Sequence, residues 1–183
     1  KVICPHLHIP LQSGNDDQLQ AMNRKYCIEE YQGLMDRFSK TLPHAALGSD
    51  VIVGFPGETE EHFENTLNFI QSNPFTYLHI FRYSDRKGTA ASKMPNKVDP
   101  QTIKKRSQVL HQLSKKLKTA YYQKYLGQKL TVLFDQTKNG KQVGYTENYL
   151  QVSVESPQDI RKQILDVELI DINERGLCTG KLL

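Results

Sequence analysis

Apolar and polar residues alternate from Val2 to Leu11 before the turn Gln12-Ser13-Gly14, which predicts a strand running into a tight turn. Asn15 or Asp16 then caps a short helix carrying Leu19 and Met22, with Arg24 and Lys25 near its end. Ile28, Tyr31, Leu34, Met35 and Phe38 recur at helical spacing and predict a second helix that stops before Pro43. Ala45 to Phe55 reads as a strand, and its β-branched run Asp50-Val51-Ile52-Val53 has the pattern of a strand buried on both faces. Gly54, Pro56 and Gly57 break it, Thr59 caps an acidic first turn, and Phe63, Leu67 and Ile70 line a third helix. A third strand is expected over Phe75 to Tyr83, then a polar loop, Ser84 to Asn96. Strands alternating with helices predict an α/β domain with parallel strands and right-handed crossovers. Pro100 opens a long helix to about Leu126, with Ile103, Leu110, Leu113, Leu117 and Tyr121 on its buried side and Gly127 ending it.

The texture changes after Gly127. Leu130–Phe134, Gln142–Tyr145, Leu150–Val154, Ile164–Asp171 and Gly176–Lys181 read as short strands separated by turns such as Asn139-Gly140. Five short antiparallel strands in residues 127–183 suggest a small closed β-barrel of OB type, since an open sheet that size leaves its edges exposed. Two domains are therefore expected, residues 1–126 and 127–183.

Composition narrows the class. The chain has 183 residues, 38% hydrophobic and 24% charged, enough to bury a core in one large or two small domains. Its three cysteines, Cys4, Cys27 and Cys178, are odd in number and irregularly spaced, which argues against a disulfide framework and for a reducing, cytoplasmic setting. No apolar run approaches bilayer-spanning length, and no secretory signal is recognisable, so a membrane partner is not expected. The chain opens at Lys1 directly on strand pattern, as a piece of a longer protein would. The net charge is only +4, but Lys104, Lys105, Arg106, Lys115, Lys116, Lys118, Lys124 and Lys129 occur between Pro100 and Phe134 without an acidic residue. Such a run is either a solvated helix face or the footprint of phosphate binding.

Parallel α/β sheets bind ligands at the carboxyl ends of their strands. Three such ends carry unusual chemistry. Gln12-Ser13-Gly14 offers amide and hydroxyl groups suited to a ribose or an amino-acid carboxylate, or is simply a turn. Gly54-Phe55-Pro56-Gly57-Glu58-Thr59 lets the backbone approach a ligand ahead of a helix N-terminus, or is an ordinary strand-to-helix turn. Tyr83 to Thr89 places Arg86 and Lys87 beside Ser84 and Thr89, a phosphate contact or a surface loop. His6 and His8 share a strand face, yet no third metal ligand follows at a recognisable interval, so no metal site is expected within this chain. No nucleophile elbow, phosphate loop or Cys-x-x-Cys pair is present, and Cys4 reads as a small buried hydrophobe.

Taken together, His8-Ile9-Pro10-Leu11-Gln12-Ser13-Gly14, Met22-Asn23-Arg24, Asp50 to Thr59 and Tyr83-Ser84-x-Arg86-x-Gly88-Thr89 resemble the radical S-adenosylmethionine methylthiotransferases. The resemblance covers nearly the whole chain, because in that family a small RNA-binding barrel, the TRAM domain, follows the radical domain. It implies the fold class α/β: the C-terminal part of a partial TIM-like (β/α) barrel, then an OB-like barrel. Leu78-His79-Ile80-Phe81 and Gly144 to Tyr149 resemble the branch acting on threonylcarbamoyladenosine in tRNA, the alternatives being the isopentenyladenosine and ribosomal-protein branches. Arg82 stands where the family usually has proline. The family's Cys-x-x-x-Cys-x-x-Cys loop for a 4Fe-4S cluster, and the three cysteines of its second cluster, do not occur here.

The resemblance implies radical chemistry in the full-length enzyme: S-adenosylmethionine and two 4Fe-4S clusters, an electron donor from the cell, and methylthio transfer to C2 of the adenine next to the anticodon. It implies that Gln12, Ser13 and Asp50 contact the ribose and methionyl parts of S-adenosylmethionine, with Gly54 and Phe55 flanking its adenine. Arg24 and Arg86 are candidates for carboxylate or phosphate recognition, and Lys129 and Tyr149 for gripping the tRNA anticodon arm. Two readings from other classes stay open: an RNA-binding module without catalysis, and a TIM-barrel enzyme acting on a phosphorylated metabolite.

Overall fold

A computed structural model describes residues 3–173 and 176–183, in which the element order is strand–helix–helix–strand–helix–strand–helix followed by five strands. The chain divides into two compact units, one of Leu7–Pro43 and Leu47–Ser114, the other of Lys1–His6, His44–Ala46 and Lys115–Leu183.

The α/β unit is built on a three-stranded sheet in the order β1 (His6–His8), β2 (Ala46–Val53), β3 (Tyr77–Arg82). β2 and β3 are parallel, with Gly48 opposite Tyr77, Asp50 opposite His79 and Ile52 opposite Phe81. One sheet face, through Leu47, Val51 and Val53, is buried with Leu11, Leu19, Met35 and Ile70. The β-branched run does not bury both of its faces: Asp50 and Ile52 remain half-buried, because their face carries polar and aromatic groups in place of helices. The first strand is shorter than the alternation predicts. Only His6–His8 is extended in the sheet, since Pro5 and Pro10 on either side have no N–H to pair; Gln12 rejoins β2 through an isolated bridge to Val51. The part of that expectation falling on Val2 lies outside the described residues.

Helix caps follow the sequence closely. Asn15 caps α1 (Asp16–Ala21) by accepting from the Gln18 N–H at 3.1 Å. Cys27 precedes α2 (Ile28–Thr41), whose N3 residue Glu30 reaches back to the Cys27 N–H at 3.0 Å. Thr59 caps α3 (Glu60–Ser72), accepting from the His62 N–H at 3.2 Å.

The long helix α4 spans Pro100–Gln123, shorter than its pattern suggests. Lys124, Tyr125 and Leu126 close i→i−3 turns onto Tyr121, Tyr122 and Gln123, and Gly127, at φ +77°, turns its N–H to the Leu169 carbonyl at 2.8 Å.

The second unit contains a closed barrel of β4 (Lys129–Lys138), β5 (Lys141–Thr146), β6 (Gln151–Val154), β7 (Ile164–Ile172) and β8 (Cys178–Leu182). Its strand order is β4-β5-β6-β8-β7, antiparallel except for the parallel β6–β8 pair, the Greek-key closure expected of an OB-like barrel. Val132, Phe134, Leu150, Val152, Val167 and Leu169 fill its interior with less than 2% exposure each; buried and exposed positions alternate through the middle of β4, whereas β5 and β6 are buried along most of their length. The fold is thus a parallel β/α portion followed by a five-stranded barrel. Among the described residues no helix is long and apolar enough to cross a membrane.

Candidate functional site

Three chain segments meet at the carboxyl ends of β1 and β2. Gln12 is held by its own backbone: its N–H donates to the Asp50 carbonyl at 2.8 Å and its carbonyl accepts from the Ile52 N–H at 2.9 Å. Its φ of +68° is uncommon for a residue with a side chain and marks an over-determined position. That geometry aims the amide oxygen at Arg24, whose Nη2 donates to it at 3.0 Å. Arg24 is exposed, and the rest of its fork of N–H donors remains for a ligand carboxylate or phosphate. Ser13 turns inward: its hydroxyl meets Thr66 Oγ1 at 3.3 Å and accepts from the Asn15 N–H, which fixes the start of α1.

The glycine turn after β2 is braced from below. Gly54 has φ +76°, and a Cβ there would lie 2.3 Å from Ile103 Cγ1, so its missing side chain makes room for α4 packing. Its N–H donates to Glu58 Oε2 at 2.9 Å. Glu58 in turn takes Arg106 Nη1 at 2.7 Å, while Arg106 Nη2 reaches Glu60 at 2.7 Å and the guanidinium lies 5.3 Å over the Phe63 ring. Burial pushes the Glu58 carboxyl up, against the pull of the Gly54 N–H and Arg106. Arg106 therefore leaves the basic run read from the sequence. It is 6% exposed and holds a loop, whereas Lys104, Lys105 and Lys116 on the same helix are exposed. Its position was legible: it stands three residues after Ile103 and four before Leu110, on the buried stripe.

Phe55 is 8% exposed and packs edge-on against Tyr83, centroids 5.3 Å apart. Tyr83 begins the loop that carries Arg86. Its hydroxyl donates to Asp85 at 2.8 Å, and Lys97 bridges Asp85 and the Ser92 carbonyl. Lys97 and the Tyr83 hydroxyl hold the Asp85 carboxyl below its usual range. Arg86 itself lies exposed on this loop.

Asp50 does something the sequence did not suggest. Its Oδ1 accepts from His8 Nε2 at 2.9 Å and lies 3.4 Å from His79 Nδ1. Tyr77 stands beside them, its ring 6.2 Å from His8 and 5.4 Å from His79, in the space that glycine leaves at position 48. His8 and His6 were read as a pair on one strand face. The structure separates them: His6 stacks on Tyr149 at 3.8 Å and 7°, and His8 joins Asp50. The signal available for His79 was its place as the one polar residue in the run Leu78 to Phe81; its partner could not be known without the β2–β3 register.

In the barrel unit, Tyr149 has φ +65° and a second ring neighbour, Tyr145, 5.0 Å away and nearly parallel. One face of Tyr149 is thus already covered by an imidazole. Lys129 is exposed at the start of β4, opposite Glu168 of β7.

An adenine-bearing amino acid cofactor fits the donor set of the α/β unit. Arg24 with Gln12 offers the charge and amide for an amino-acid carboxylate, and Phe55 with Tyr83 offers aromatic edges for an adenine. Three thiolates for an iron–sulfur cluster do not assemble among the described residues. Cys4, expected to be buried, is exposed; Cys27 is half-buried and Cys178 is buried in the barrel core, where burial pushes its thiol up to about 12.

Residues 1–70 match the model of the radical SAM superfamily. The chain is 40% identical over 173 residues to the threonylcarbamoyladenosine tRNA methylthiotransferase MtaB of Bacillus subtilis, covering 92% of this chain and 38% of that protein. It is 38% identical over 179 residues to a probable threonylcarbamoyladenosine tRNA methylthiotransferase of Methanocaldococcus jannaschii, covering 97% of this chain and 40% of that one. A tRNA-2-methylthio-N(6)-dimethylallyladenosine synthase of Endomicrobium trichonymphae is also 38% identical, over 167 residues, covering 91% of this chain and 40% of that protein. The chain thus spans about two fifths of the length of these relatives. With similarity running through both the β/α portion and the barrel, the chain belongs to the radical SAM methylthiotransferases and corresponds to their C-terminal portion.

Proposed function

We propose that the full-length protein is a cytoplasmic tRNA methylthiotransferase that places a methylthio group on C2 of N6-threonylcarbamoyladenosine next to the anticodon. The observation that carries this reading is the Gln12–Arg24 pair set beside the braced Gly54–Phe55 turn, in a chain whose relatives bear methylthiotransferase names. S-adenosylmethionine, with the 4Fe-4S clusters whose ligands lie outside these residues and an electron donor from the cell, supplies the radical and the methyl and sulfur atoms when bound. This chain's own residues bind and orient. Gln12 and Arg24 hold the methionyl carboxylate, and Asp50 and Ser13 fix the floor and wall near the ribose. Gly54 and Phe55 border the adenine, and Phe55 with Tyr83 keeps water from it. Arg86 meets a phosphate of the anticodon arm, which Lys129, Tyr149 and the exposed lysines of α4 grip.

Equilibrium binding by the full-length protein tests this reading. Gln12→Ala and Arg24→Ala are expected to weaken S-adenosylmethionine about tenfold or more each, as lost hydrogen bonds to a charged group do. Lys129→Glu is expected to weaken the anticodon stem-loop and flatten its salt dependence. Unchanged cofactor affinity in both of the first two variants would refute the site. A second reading, favoured by cysteines that form no cluster-binding set, is that the isolated 183-residue polypeptide binds RNA without catalysis. Stem-loop binding without S-adenosylmethionine cleavage would support it.

A further inference from the structure

On the half-open face of the three-stranded sheet, one carboxylate oxygen organises two imidazoles. Because His8 Nε2 and His79 Nδ1 both face Asp50 Oδ1, the nitrogens left to meet a ligand are His8 Nδ1 and His79 Nε2. The rings lie 4.9 Å apart with Tyr77 as a side wall. Side-chain exposures of 29%, 24% and 56% for His8, Asp50 and His79 leave the group reachable. The cluster lies beside Gln12, whose N–H donates to the Asp50 carbonyl at 2.8 Å, and Gly54 stands four residues beyond Asp50 along the chain.

We infer that the His8–Asp50–His79 cluster receives the polar N6 substituent of the target adenine, with His79 as a specificity-determining residue and Asp50 as the positioning residue for both rings. This rests on the methylthiotransferase reading above and deepens it. The relatives' names divide between two substituents of opposite chemistry. A threonylcarbamoyl group carries urea N–H and C=O groups, a hydroxyl and a carboxylate; a dimethylallyl group is a hydrocarbon. Placing the hydrocarbon against two imidazoles and a carboxylate would strip water from three polar groups and return no hydrogen bond. A site built from hydrogen-bonding groups rejects an analogue that lacks the partner far more strongly than an apolar site rejects an added group. Imidazole suits the mixed donors and acceptors of the threonylcarbamoyl group, accepting from a urea N–H when neutral and donating to a carboxylate when protonated. Asp50 balances the charge in the second case. Two imidazoles and a carboxylate are also a donor set for a divalent cation. The 2.9 Å hydrogen bond between His8 and Asp50 ties up the atoms such an ion would need, which favours the nucleoside substituent.

The test uses the full-length protein and fluorescent anticodon stem-loops that carry threonylcarbamoyladenosine, dimethylallyladenosine or adenosine at the same position. Wild type is expected to bind the first about tenfold or more tighter than the second. His79→Leu, which keeps the volume and removes the polarity, is expected to bring that ratio close to one without changing S-adenosylmethionine affinity, and His79→Gln to restore part of it. A ratio that survives His79→Leu overturns the assignment of the cluster alone. A wild-type protein that binds neither modified stem-loop more tightly than the unmodified one overturns the substrate reading beneath it as well. Discrimination that vanishes with a chelator and returns with Zn²⁺ would make the cluster a metal site and also overturn the inference.

Discussion

Arg106→Met removes one member of the buried ion pair that braces the Gly54 turn. Arg106 and Glu58 have side chains 7% and 4% exposed, and Glu58 Oε2 also holds the Gly54 N–H. Breaking a buried pair by deleting one partner costs about 3–5 kcal/mol, because the remaining charge stays buried and uncompensated. Met keeps an unbranched apolar stem, so the loss is electrostatic and includes the cation–π contact with Phe63. With a urea dependence of roughly 2 kcal/mol per M, the midpoint of the α/β unit falls by about 2 M. Because the chain folds as two compact units, hydrogen exchange at the amides of β2 and α3 is the local readout to pair with the urea transition. Glu58→Gln added to Arg106→Met neutralises the stranded carboxylate and recovers a large part of the loss. The pH dependence has a definite sign. Burial already raises the folded Glu58 pKa above its ordinary 4.5, and without Arg106 it rises further. A carboxyl raised on folding contributes stability that is full below about 4.5 and lost as pH climbs through the folded value. The single variant is therefore closer to wild type at pH 5 than at pH 8. A deficit below about 1 kcal/mol at pH 8, or a double variant no better than the single, would refute the brace.

Two further outcomes test the packing. Gly144→Ala puts a Cβ 2.2 Å from the Leu133 carbonyl oxygen and 2.8 Å from Phe134 Cα, backbone atoms of the paired strand, so the barrel should lose about 3 kcal/mol in urea melts; an unchanged midpoint would contradict the β4–β5 register. Burial pushes the Tyr31 phenol and the Cys178 thiol each up to about 12, above ordinary values of 10.0 and 9.0. Both hold their proton more tightly when folded, so stability is intact below pH 9 and falls toward pH 12, by about 1.4 kcal/mol per pH unit for each group inside its window. Thiol alkylation at pH 8 should accordingly label exposed Cys4 and spare Cys178 until the barrel unfolds; rapid labelling of Cys178 in the native state would contradict its burial.

What the sequence conveyed was local. Caps, helix stripes and turns are set by residues a few positions apart, so Asn15, Thr59 and the five barrel strands were readable, and their bounds differ by only a few residues. The shortened first strand also had a local cause, two prolines, that the alternation pattern masked. Contacts set by strand register were not readable. Asp50 was assigned to a cofactor from its motif, while its side chain is engaged by His8 and His79 across two neighbouring strands. Tyr149 was read as a group that grips RNA, while its ring is stacked on His6, far away in sequence. Arg106 shows the limit of counting charge along a chain: a helix face, and not a run, decides which cations meet solvent.

The central claim, that the protein modifies threonylcarbamoyladenosine in tRNA, is tested most directly by nucleoside mass spectrometry of total tRNA from cells with and without the full-length gene. The account predicts that the 2-methylthio form of threonylcarbamoyladenosine disappears in the deletion, its unmethylthiolated precursor accumulates, and the 2-methylthio form of dimethylallyladenosine is unchanged. Persistence of the first, or loss of the last in its place, would contradict it.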